Sequence, residues 1–138
     1  MAPPSARGGE SVKHDELVKR VVERAEVDRS DARSAVESTL AVLSERLDAG
    51  EAGDLAAQLP EEVAWALRGS DREADAFSAD KFVRRVASRE GIAPNDADKR
   101  VRAVLATLQD AVGAGVLEHV LSQLPPDYLE LMAGTHRR

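Results

Sequence analysis

The sequence contains no cysteine, only 3% aromatic residues, and no apolar run longer than a few residues. Without cysteine there is no disulfide, no thiolate metal site and no thiol nucleophile, as suits a reducing cytoplasm. The apolar runs fall far short of the roughly 18 residues needed to cross a bilayer, so a soluble cytoplasmic protein is expected. The opening stretch MAPPSARGGES lacks the apolar segment of a secretory signal and reads as a disordered tail over residues 1–12. Positive charge is also in deficit. A net charge of −6 and a pI near 5.1 oppose non-specific binding to nucleic acid or to an anionic membrane.

What is present is a globular composition, 43% hydrophobic and 32% charged. With so few aromatics the core must be built from Leu, Val and Ala, which favours closely packed helices. A chain of 138 residues is long enough to bury a real core.

Sliding the chain against itself by 65 positions aligns residues 15–69 with 80–134 without a gap. Identical pairs include Asp15/Asp80, Val18/Val83, Arg20/Arg85, Arg24/Arg89, Asp31/Asp96, Val36/Val101, Leu40/Leu105, Leu43/Leu108 and Gly50/Gly115. The tripeptide Gln58-Leu59-Pro60 recurs as Gln123-Leu124-Pro125. The expected fold is therefore all-α: a tandem duplication of a four-helix unit, about eight helices packed into one compact domain. The units are residues 13–68 and 79–133, joined by a linker at 69–78 and followed by a tail at 134–138.

Within each unit the first helix is expected over about 13–26 and 79–90, with an apolar face at Leu17, Val18, Val21 and Ala25, and at Phe82, Val83, Val86 and Ala87. The second helix, over about 29–48 and 94–113, repeats Val36, Leu40, Leu43, Leu47 as Val101, Leu105, Leu108, Val112. Asp28 suits its N-cap in the first copy, and Pro94 its first position in the second. Gly50 and Gly115 are expected to close it in a left-handed turn. A short third helix, over about 52–58 and 116–123, ends before Pro60 and Pro125, and each proline opens a fourth. Gln-Leu-Pro reads as a structural corner, with its leucine buried and its glutamine satisfying a helix-end carbonyl.

Glu51-Ala52 with Asp54-Leu55-Ala56-Ala57-Gln58-Leu59-Pro60 resembles the signature of the bacterial domain-of-unknown-function family numbered 2267. The resemblance runs through both halves and implies two tandem copies, a duplicated helical fold and no assigned activity. The second half departs from it at Val116-Leu117-Glu118-His119-Val120-Leu121.

Chemistry is harder to find. His14, His119 and His136 lie far apart in sequence, and no metal site is expected. Glu61 and Glu62 are adjacent, hence about 100° apart on a helix, and read as dipole-complementing acids, not a catalytic pair. There is no G-x-S-x-G serine and no Gly-rich phosphate loop, so neither an enzyme nor a cofactor is expected.

Two readings of function follow. The first is a non-catalytic helical scaffold or protein-interaction module that binds an unidentified protein or itself. The alternative is a nucleic-acid-associated protein whose contacts are Lys81, Arg84, Arg85, Arg89, Lys99, Arg100 and Arg102. Acids are interleaved with these bases, which favours an ion-paired surface. Trp65 is the candidate interface residue. Its duplicate is Glu130, and it lies about 200° around its helix from Val63. It either covers the junction between the copies or forms an exposed patch, and avoidance of a sticky surface favours the junction.

Overall fold

The helical stripes become seven helices in the computed structural model, which describes residues 5–67, 76–112, 116–122, 124–128 and 130–131. In chain order they are α1 (Ser5–Ala25), α2 (Arg29–Arg46), α3 (Ala49–Ala56), α4 (Glu61–Leu67), α5 (Ala79–Glu90), α6 (Pro94–Ala111) and α7 (Val116–Ser122). The backbone is helical again at residues 127–128 and 130–131. Among the described residues there is no strand, and the architecture is all-α.

Local signals set most of the helix ends. The Asp28 carboxylate caps α2 by accepting from the Asp31 N–H at 2.8 Å, and Pro94 occupies the first turn of α6. The Pro60 carbonyl accepts from the N–H groups of Val63 and Ala64 at 3.0 and 2.9 Å, opening α4.

Other ends differ from expectation. Gly50 does not close α2 in a left-handed turn. The helix stops at Arg46 with Leu47 extended, and Asp48 then caps α3 by accepting from the Glu51 N–H, which puts Gly50 inside α3. A side-chain cap so close behind α2 starts the next helix before any left-handed residue is needed. Among the described residues the left-handed ones are Glu26 at φ 59° and Gly91 at φ 68°, just beyond α1 and α5. Gly115 and Gln123 lie outside the described residues. The segment expected as a tail is helical from Ser5, because extending a formed helix adds one hydrogen bond per residue fixed.

The core is one continuous cluster from Leu17 to Leu131, so both halves contribute to a single interior. Val36, Leu40, Leu43, Val101, Leu105 and Leu108 are fully buried on the central pair α2 and α6. The outer helices cross over. α1 packs on α2 and on α6, while α5 packs on α6 and on α2. α4 lies against α2, and α7 against α6 and α3. Removing a leucine side chain from such a site costs about 2–5 kcal/mol, so the helical stripes amount to the folding instruction.

Candidate interaction surface

The basic residues of α5 and α6 are brought onto neighbouring turns, but almost all are neutralised there. Arg84 pairs with Asp80 at 2.9 Å, Lys99 with Glu26 at 2.8 Å and Arg102 with Asp98 at 2.9 Å. Arg85 and Arg89 both reach Glu45 on α2, at 2.8 and 4.0 Å. Arg100 meets Glu90 at 2.9 Å and Asp31 at 3.6 Å. Of the seven candidates Lys81, on the exposed face of α5, is the one that pairs with no carboxylate among the described residues.

The cross-helix pairs have a reciprocal pattern. Arg20 and Arg24 on α1 reach Asp110 on α6 at 3.6 and 2.8 Å. A shift of 65 positions turns this set into Arg85, Arg89 and the residue matching Asp110, which is Glu45. Each outer helix thus ion-pairs to the central helix of the other half. Partly exposed pairs of this kind contribute about 0–1 kcal/mol each, so they orient the helices more than they stabilise them.

In one charged pair the side chains are largely covered. Glu90 has only 1% of its side chain exposed and Arg100 13%. The Glu90 Oε2 atom accepts from the Ser34 and Ser38 hydroxyls at 2.7 Å each, while Oε1 accepts from Arg100. Every polar demand of the carboxylate is met, which a buried charge requires. A sequence signal existed for this network. At the sequence offset of 65 positions Glu90 and Arg100 fall opposite Ala25 and Ala35, both buried, so charges stand where the offset places alanines.

Trp65 is 54% exposed, the one large apolar side chain of the described residues left on the surface. It does not close the junction between the halves. α4 buries Val63, Ala64, Ala66 and Leu67, and the indole stands on the opposite side with its Nε1–H donated to the Glu62 carbonyl at 2.6 Å. The helix register was legible in sequence; the exposure was not.

Sequence reasoning missed an aromatic cluster ahead of α5. Phe77, within the segment expected as linker, is buried under the Arg85 guanidinium at 3.9 Å from the ring centroid. Arg46 stands 6.0 Å from the same ring and donates to the Phe77 carbonyl at 2.9 Å. The Tyr128 hydroxyl donates to that carbonyl as well, and its ring meets Phe82 edge-on at 5.9 Å. Burial pushes the Tyr128 phenol above its ordinary range, against the opposing pull of Arg46.

A cavity of about 280 Å³ opens between α1, the α3–α4 corner and α6, lined by Leu17, Arg20, Gln58, Pro60, Thr107 and Ala111 among others. Gln58 is exposed there, and its backbone N–H, donated to the Leu55 carbonyl, closes the turn expected of its side chain. Leu59 is buried at the corner as expected. His14 stands on α1 and the exposed His119 on α7, while His136 lies outside the described residues. No group of three or more His, Asp or Glu residues able to hold a metal occurs among the described residues.

This helical arrangement can be set against known proteins. A single match to the family described as Uncharacterized conserved protein (DUF2267) covers residues 14–131. The chain belongs to the DUF2267 family. The match is one continuous span through both halves, where the sequence resemblance implied two tandem copies. No curated protein matches the chain. No described helix is long and apolar enough to cross a membrane.

Proposed function

We propose that this DUF2267 protein is a non-catalytic interaction module of two matched helical halves, presenting Trp65 to a protein partner in a bacterial cytoplasm. The observation that carries the reading is the exposed indole, the one large apolar side chain exposed among the described residues. Tryptophan is enriched at the centres of protein interfaces because it combines a large apolar area with a polar edge. Internal duplication is supported by the gapless offset of 65 positions and by the reciprocal pairs of Arg20 and Arg24 with Asp110 and of Arg85 and Arg89 with Glu45. The absence of cysteine suits a reducing compartment.

The nucleic-acid reading loses support from the ion pairs. Six of its seven bases already share a carboxylate, so phosphate binding would have to break those pairs first. The interaction reading is tested by placing a photo-crosslinking amino acid at position 65 and irradiating in the native host. A discrete adduct that is absent when the group is moved to exposed Ser30 supports it. Equal labelling from both positions refutes it.

A further inference from the structure

The cavity beside α1 has an internal precedent for what it binds. Arg85, Arg46 and Phe82 stand around the Phe77 ring, the last with ring centroids 6.4 Å apart. Shifted by 65 positions they become Arg20, Ala111 and Leu17, and all three line the cavity. The cavity thus occupies, in the first half, the place that holds a phenylalanine in the second. It is roomier because alanine stands for arginine and leucine for phenylalanine. The same offset matches Phe77 with Val12. Phe77 lies outside any helix, just ahead of the extended Ser78 that caps α5, so its ring can turn inward, whereas residue 12 is inside the continuous helix α1.

We propose that this cavity is a socket for a phenylalanine side chain carried on an extended peptide segment of a partner protein. The proposal rests on the reading of the chain as two matched halves forming an interaction module. Arg20 would cover the ring face as Arg85 covers Phe77, a favourable cation–π placement. Leu17 and Pro60 supply apolar walls, and the exposed Gln58 amide can donate to a peptide carbonyl in place of Arg46. The size fits, since an apolar cavity of about 150 Å³ already admits benzene.

The test uses the full chain, labelled with ¹⁵N, and the peptide acetyl-Asp-Ala-Phe-Ser-Ala-amide, which copies residues 75–79. Saturable amide shifts at Leu17, Arg20 and Ala111 are expected, and none with the Phe→Ala peptide. Ala111→Arg, which restores the side chain present in the other half, should weaken binding by about tenfold or more. Arg20→Ala should weaken it several-fold while leaving the fold intact, and serves should Ala111→Arg misfold. No saturable shift in this region, or shifts unchanged in both variants, overturns the socket. Concentration-dependent dimerisation lost in Ala111→Arg without peptide would also overturn it, by making a second copy the occupant. A silent socket with intact crosslinking from position 65 refutes the socket alone, whereas failure of both refutes the module too.

Discussion

Arg100→Ala should be among the most damaging single substitutions in this protein, and the surrounding contacts set the size of its effect. The substitution leaves Glu90, with only 1% of its side chain exposed, facing two serine hydroxyls and no cation. Removing one partner of a buried pair costs about 3–5 kcal/mol, because the remaining charge stays desolvated. That is a large part of the roughly 5–15 kcal/mol that holds a domain together. Glu90→Ala should cost less, since Arg100 keeps Asp31 at 3.6 Å and part of its surface in water. The double variant reproduces the Ala25 and Ala35 of the other half, and apolar replacement of a buried pair is often close to neutral. Its cost should therefore fall short of the sum of the single costs by more than about 1 kcal/mol. Urea unfolding of the four proteins completes the cycle. An Arg100→Ala loss below about 1 kcal/mol, or an additive cycle, would refute the claim that Glu90 depends on Arg100.

Trp65→Glu should change stability by no more than about 0.5 kcal/mol and leave the helical circular dichroism intact, because the indole is mostly exposed; a loss above about 2 kcal/mol would mean the side chain is covered. Tyr128, the only tyrosine, should ionise above the ordinary phenol range near 10, read by phenolate absorbance. A raised folded-state pKa means the associated stability is whole below about pH 10 and lost as pH climbs through the folded value, so alkaline unfolding should track this titration. A phenol titrating in its ordinary range in the folded protein would contradict the burial. Random duplex DNA at physiological salt should give no fluorescence-anisotropy change at micromolar protein, whereas binding with a steep salt slope would restore the nucleic-acid reading.

How far the sequence alone reached depends on whether a feature is local or long-range. Helix positions follow from apolar spacing and from local end signals: the Asp28 cap, whose bond closes within one turn, and Pro94 with its fixed φ in the first turn of α6. The register of α4 followed likewise, with Val63, Ala66 and Leu67 inward and Trp65 outward. Gly50 misled because two signals competed within three residues, and the Asp48 cap prevailed over the glycine turn. What sequence spacing could not supply is which half each charge would meet. Arg24 finds Asp110 across 86 residues, and Glu90 gathers Ser34 and Ser38 from another helix across 56 and 52. Those encounters exist only once α1 and α5 have crossed onto the opposite central helices. Burial of the apolar stripes drives that crossing without specifying any ion pair, so the bases of α5 and α6, interleaved with acids in sequence, find local partners in Asp80 and Asp98 but meet Glu26, Asp31 and Glu45 only in the fold.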